Sequence, residues 1–204
     1  VSISADGEYI AAGCTNDKIY LFNKDSSTPL WNYETDGDIQ SLSLSSDGEY
    51  IVAGSNDHNV YLFSKNNNTP LWTYESNGHV ESVSISADGY YITAVSGNNL
   101  NGSVYFFNRE SNSTLWSYNT NGNFQSVSSS SDGSYIVGGS KYIPEDPEET
   151  VYLFKNSLAN RPSVIPYGPR SGSDDVTNPV LRWFAGSDDR ANLTFDVYLG
   201  MYTS

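Results

Sequence analysis

Residues 66–89 read NNNTPLWTYESNGHVESVSISADG, and near-copies flank them: SSTPLWNYETDGDIQSLSLSSDG at 26–48 and SNSTLWSYNTNGNFQSVSSSSDG at 111–133. Asp-Gly pairs begin at Asp6, Asp47, Asp88 and Asp132, in steps of 41, 41 and 44; Trp31, Trp72 and Trp116 keep the steps of 41 and 44. The three extra residues sit where SGNNLNGSVYFF replaces SNDHNVYLF, and a fourth copy carries a longer insertion, SKYIPEDPEETVYLF, at the same point. Self-similarity at a period in the low forties marks either propeller blades or arrays of helices.

The pattern inside one repeat decides between them. SLSLS and SVSIS alternate with period two, while YIVAG and VYLF are short runs rich in β-branched and aromatic residues. Asp-Gly between two such runs signals a hairpin, because Gly accepts the positive φ of a tight turn. Each repeat therefore reads as four strands, in the second copy Ile39 to Ser45, Glu49 to Ser55, Asn59 to Ser64 and Pro70 to Glu75. The first two strands are built of Ser, Ala, Gly, Val and Ile; the last two carry Tyr61, Leu62, Phe63, Leu71, Trp72 and Tyr74. Small residues inside and large ones outside fill a wedge at interior density, which is the shape of a blade around an axis. The fold class expected is all-β: a β-propeller of four-stranded blades over 1–155, with four repeats of period about 41–44.

NGHVESVSISADGYYITAVS resembles a WD-repeat blade, with Gly78 and His79 in the place of that family's Gly-His, and GSNDHNVYLF resembles its strand-turn-strand, with Asp57 at the turn aspartate and Phe63 where it has Trp. VYLFNKDSSTPLWNY and VYLFSKNNNTPLWTY resemble the tryptophan-docking blades of quinoprotein-like (PQQ-like) propellers. The chain departs from both patterns: the other copies have Gly37-Asp38 and Gly122-Asn123, and Thr-Pro-Leu stands for the quinoprotein Thr-Gly-Lys. Both resemblances imply the scaffold, on which many functions are carried.

After Phe154 the composition changes. KNSLANRPSVIPYGPRSGSDDVTNPV is rich in Pro, Ser and Gly and reads as a linker, 156–179. VLRWFAGSDDRANLTFDVYLG, with Trp183 and Tyr198, resembles the opening strands of a fibronectin type III or immunoglobulin-like module, giving a truncated β-sandwich-like segment at 180–204. The fourth copy lacks a PLWxY strand, so its outer edge is expected to be unpaired; further blades are expected upstream of Val1.

Net charge is −14, from 24 acids against 10 bases. Phosphate backbones and anionic membrane surfaces attract basic faces, so neither nucleic acid nor a lipid surface is the expected partner. No run approaches the roughly 18 apolar residues of a membrane span. An acidic, Lys-poor chain with sequons at Asn67, Asn101, Asn112 and Asn192 suits an extracellular or cell-surface protein, a glycoprotein if those loops are modified.

No Gly-rich phosphate loop, nucleophile elbow or His-Glu zinc motif occurs. Asp6, Asp47, Asp88 and Asp132 hold turns, which explains their identity without chemistry. Cys14 aligns with Ser55, Ser96 and Ser140 and reads as a small buried filler. His58 stands in a turn where the first copy is read to have Lys18, so it is expected in solvent; His79 is expected to bond Asp57 or lie at a free loop. No cofactor is expected beyond a structural calcium, for which Asp188, Asp189 and Asp196 are the candidates.

Two functions remain. The first is a non-enzymatic surface scaffold that binds a protein or surface polymer, or assembles with other copies or further blades. Its contact residues are expected in the turns between second and third strands: Lys18, His58, Asn99, Tyr142, Glu145, Asp146, Glu148 and Glu149. The second, implied by the resemblance, is a quinoprotein-like oxidoreductase with its quinone on the propeller axis. There the first strands supply mainly Ser, with Gln40, Glu81 and Gln125 at matched positions and no Lys or Arg to meet an anionic quinone.

Overall fold

The computed structural model describes residues 1–98, 101–141, 149–156, 163–164 and 181–183. Among them every regular element is a strand. The first repeat forms β1 (Ser2–Ile3), β2 (Tyr9–Gly13), β3 (Lys18–Asn23) and β4 (Trp31–Glu34). The second forms β5 (Ile39–Leu44), β6 (Tyr50–Ser55), β7 (Asn59–Ser64) and β8 (Trp72–Glu75). The third forms β9 (His79–Ile85), β10 (Tyr91–Gly97), β11 (Gly102–Asn108) and β12 (Trp116–Thr120). The fourth forms β13 (Asn123–Ser129), β14 (Tyr135–Lys141) and β15 (Glu149–Lys155), with the short β16 (Ser163–Val164) and β17 (Leu181–Trp183) beyond. Each repeat is one antiparallel sheet in chain order, as a propeller blade is. The outer strand of the second copy starts at Trp72 rather than Pro70, since Pro has no N–H and Leu71 makes the first bond, to the Leu62 carbonyl.

The Asp-Gly turns repeat one device. Ser45 Oγ donates to Asp47 Oδ1 at 2.6 Å, and the same oxygen accepts the Glu49 N–H at 3.0 Å. Ser4–Asp6, Ser86–Asp88 and Ser130–Asp132 do the same, each at 2.6 Å. The following glycine lies at positive φ, +69° at Gly48, and a Cβ there would fall 2.7 Å from the Tyr9 ring of the preceding blade. These bonds favour the carboxylate. The Ser130 hydroxyl and the Ser134 backbone N–H hold Asp132 down at about 2, and Asp6 and Asp88 are lowered by their serines first. At Asp47 burial pulls the other way, but the Ser45 and Glu49 bonds outweigh it.

The core lies between sheets. Ala11, Ile19 and Leu21 of the first blade meet Ile39, Leu42, Ile51, Ala53, Tyr61 and Phe63 of the second, and equivalent residues fill the next two junctions. Both faces of a middle sheet are therefore buried, and its inner strands read as continuous apolar runs rather than alternating ones: Ile51 faces the first blade and Val52 the third, both fully buried. At each junction the outer-strand tryptophan tilts onto the next blade's phenylalanine, Trp31 on Phe63 at 5.4 Å, Trp72 on Phe107 at 5.4 Å and Trp116 on Phe154 at 5.3 Å. The tyrosine two residues on meets the same phenylalanine edge-on. The indole N–H of Trp31 donates to the Lys65 carbonyl and that of Trp72 to the Arg109 carbonyl. Trp116 Nε1 is buried without a hydrogen-bond partner among the described residues.

The inner serines do more than save space. Ser2 Oγ accepts the Leu44 N–H, Ser41 Oγ the Val83 N–H, Ser82 Oγ the Val127 N–H and Ser84 Oγ the Ser129 N–H, at 3.1–3.2 Å. Each inner strand is a sheet edge, and the hydroxyls of the preceding blade satisfy its open N–H groups. One step away, the hairpin turns link blade to blade: Ala5 N–H donates to the Ser46 carbonyl, Ser46 to Ala87 and Ala87 to Ser131.

The expectation of an unpaired outer edge on the fourth blade is corrected. β16 pairs with β15 at Phe154–Lys155 and β17 at Glu149–Val151, both antiparallel. Ladder pairing uses only the backbone, so a split segment without the PLWxY residues covers the edge. β16 and β17 fall within the stretches read as linker and sandwich; most of 156–204 lies outside the described residues.

Two outcomes follow from this packing. Trp72→Ala should cost about 3 kcal/mol by denaturant melts, and Trp72→Phe, which keeps the ring contact but loses the bond to the Arg109 carbonyl, about 1. The turn aspartates have lowered folded pKa values, so their stabilisation is full above the unfolded value near 4 and fades as pH falls toward about 2. Melting temperature should drop across that window, and Asp132→Asn should flatten the drop.

Candidate functional site

Antiparallel meanders place the connections at two ends. One end carries the Asp-Gly hairpins; the other carries the turns between second and third strands together with the connectors from one blade to the next. At this second end, turn and connector alternate and interlock. The Asn56 N–H donates to the Asp38 carbonyl, Ser55 Oγ to the Gly37 carbonyl, and the Asp36 N–H to Asp57 Oδ2. Gly37 is required there, since a Cβ would lie 2.8 Å from the Asp57 backbone nitrogen.

Two turn residues, Asp17 and His58, lie at positive φ, +63° and +74°. Their carbonyls accept the N–H groups of Thr35 and Ser76, whose hydroxyls also lie 2.7–2.9 Å from those carbonyls and from the carbonyls of Gly37 and Gly78. This corrects the register of the sequence reading: His58 is the counterpart of Asp17, and Lys18, the first residue of β3, is the counterpart of Asn59. The repeat step of 41 carries Asp17 to His58 and Lys18 to Asn59, and the shared left-handed backbone agrees with it. His58 is half-buried rather than in solvent, its ring edge-on to His79 at 4.9 Å. His79 does not reach Asp57: its Nδ1 lies 2.6 Å from the Asn56 carbonyl. Asp57 is taken up instead by the Tyr61 hydroxyl at 2.6 Å and the Asn59 N–H at 2.9 Å. Burial, then this bond to Asp57, holds the Tyr61 phenol well above the usual tyrosine range.

This end presents the exposed acids Glu34, Asp36 and Glu75 beside the exposed His79 and Lys141, and Lys18 pairs with Glu34 at 3.6 Å. Asn99, Tyr142, Glu145, Asp146 and Glu148 lie outside the described residues; Glu149 begins β15. The calcium candidates Asp188, Asp189 and Asp196 and the sequon Asn192 also lie outside them, and no cluster of three or more metal-ligating side chains occurs among the described residues. Asn67, Asn101 and Asn112 are exposed; Asn67 Oδ1 caps the Thr69 N–H, while the Asn112 amide donates to the Thr73 carbonyl of the preceding blade.

Elsewhere, Gln40 and Gln125 on the inner strands are exposed and Glu81 is half-buried. At the hairpin end, a cleft of about 270 Å³ is lined by Tyr50, Leu71, Trp72, Arg109 and Glu110. Its Arg109 is engaged, lying over Tyr50 and Tyr90 and bonded to Glu110. Cys14 is half-exposed rather than buried, as is its counterpart Ser140, whereas Ser55 and Ser96 are buried.

With this geometry established, comparison with known proteins places the repeat. The model of the WD domain, G-beta repeat matches residues 27–64, which run from the third-to-fourth-strand connection of one blade to the third strand of the next. Similar solved structures are Kuenenia stuttgartiensis hydrazine synthase, at TM-score 0.65 and 15% identity over 87% of this chain and 55% of that one, and a chain of the crystal structure of the mitotic checkpoint complex, at TM-score 0.68 and 14% identity over 80% of this chain and 51% of that one. At such identity the likeness is one of fold. The chain spans about half the length of these structures. No curated protein sequence matches it significantly. Together the repeat match and the structural likeness support a β-propeller fold.

Proposed function

We propose that this chain is a non-enzymatic scaffold on the cell exterior, which engages a basic or cation-bridged protein or surface-polymer partner through its turn-and-connector end. The observation that carries this reading is the division of labour among the acids. Asp6, Asp47, Asp88 and Asp132 are consumed by hairpin turns and Asp57 by Tyr61, whereas Asp36, Glu75 and Glu34, the last beside Lys18, stand exposed on an end whose backbone is locked by the bonds described above. A rigid acidic end steers a cationic partner and fixes its register. Secretion would leave the exposed sequon residues Asn67, Asn101 and Asn112 open to glycans, which the intact mass of the native protein tests. The mitotic checkpoint complex is an assembly, which is compatible with such use of the fold. The oxidoreductase alternative would need cationic groups along the inner strands, where Gln40, Glu81 and Gln125 stand instead; a visible chromophore in the purified native protein would revive it.

The expected outcome is specific to one end. Joint neutralisation by Glu34→Gln, Asp36→Asn and Glu75→Gln should weaken binding to polylysine about tenfold at low salt and leave the melt unchanged, as for screened surface charges. Glu49→Gln, at the hairpin end and paired with Lys65, should leave that binding unaltered. Equal losses from both would contradict the assignment of the face.

A further inference from the structure

The chain has two histidines, and the fold brings them together. His58 lies in the turn between β6 and β7 of the second blade, and His79 opens β9 of the third. Their rings stand edge-on, 4.9 Å between centroids at an interplanar angle of 77°. Two imidazoles bound to one ion, each nitrogen about 2 Å from it and roughly 90–110° apart, hold their centroids about 4.5–5 Å from each other. The observed spacing falls in that window. The tautomer of His79 suits it as well. Its Nδ1 lies 2.6 Å from the Asn56 carbonyl, which can only accept, so Nδ1 carries the proton and Nε2 keeps its lone pair. Histidines that bind metal donate their second N–H to such an acceptor, which fixes the ring and raises its basicity. The backbone is held at both residues: the His58 carbonyl accepts the Ser76 N–H, and His79 pairs with Gly97 in the sheet of the third blade.

We propose that His58 and His79 form a binding site for one late first-row divalent ion, copper(II) in preference to nickel(II) or zinc(II). Imidazole nitrogen suits these ions, whereas calcium and magnesium take oxygen, and at a given nitrogen site copper(II) binds best. The step of 41 puts Asp17 and Asp38 at the same two positions one junction earlier, so the imidazole pair belongs to this junction alone. Glu75, exposed and paired with Asn59 beside His58, and the net charge of −14 favour a cation there. No third metal-ligating side chain joins the pair among the described residues. The ion's other positions are thus open to water or to a donor group of a partner. Such bridging rests on the function proposed above; uptake of the ion does not, so polylysine binding and copper binding can fail separately.

Calorimetric titration of the full chain with copper(II) sulfate tests the site. The parent carries Cys14→Ser, the residue of the other copies, so that no thiol competes for the ion or reduces it. One ion per chain is expected. His58→Asn and His79→Asn should each weaken its binding at least about tenfold, since the first nitrogen presents the ion to the second at high local concentration. Both changes suit the fold. Asn tolerates the positive φ at position 58, and the fourth copy carries Asn123 where the third has His79. If either variant melts below the parent, modification of the parent by diethyl pyrocarbonate, read residue by residue by mass, decides instead. Saturating copper should slow modification of His58 and His79 together by at least about tenfold, as mass action requires of a site that holds both. No uptake, uptake that survives either substitution, or protection of one histidine without the other would overturn the proposal.

Discussion

The contact on which the structure depends is an indole laid on a phenylalanine of the neighbouring sheet. A four-stranded blade is too thin to enclose a core of its own; its apolar residues are buried only when a second sheet lies against them. Trp31, Trp72 and Trp116 reach out from the last strand of their repeats and close each junction at the rim, with a tyrosine beside each. At the narrow end the same junctions are closed by serine hydroxyls and by turn-to-turn backbone bonds. Aromatic bulk outside and hydrogen bonds inside make one wedge. Its repetition turns a set of marginal sheets into a rigid body, and the acidic end inherits that rigidity.

Much of this was legible in the chain. The period, the Asp-Gly pairs and the tryptophans define the blades, because each has a local physical cause: a left-handed glycine, a carboxylate that accepts a backbone N–H, a ring that needs a partner. What local reasoning missed depends on neighbours in space. The inner serines read as small filler, yet Ser41 and Ser82 hold the backbone of the next blade some forty residues away. Their recurrence at one period was the available signal. The turn register was legible too, since the step of 41 carries Asp17 to His58; matching Asn16-Asp17 to Asn56-Asp57 by residue type is what misplaces it. The fourth blade's outer strand was unreadable because β16 and β17 carry no PLWxY residues and come to β15 from two separate stretches of the chain.

The candidate site shows the same division. That the variable turns gather at one end follows from the meander. Which of their side chains are free does not follow, and Asp57, taken up by Tyr61, is a scaffold residue in a position that looks free. The exposed acids stand instead on the last strands and connectors, at Glu34, Asp36 and Glu75. A repeat protein thus carries its specificity beside its framework, separated by a residue or two.

The central claim is that stability resides in the junctions and is shared within a junction more than between them. A double-mutant cycle tests it most directly, with Trp72→Ala and Phe107→Ala across one junction and Trp72→Ala and Phe63→Ala on opposite faces of one blade. The account predicts a coupling of about 1 kcal/mol or more for the first pair and near-additivity for the second. Additive losses for Trp72 and Phe107 would contradict it.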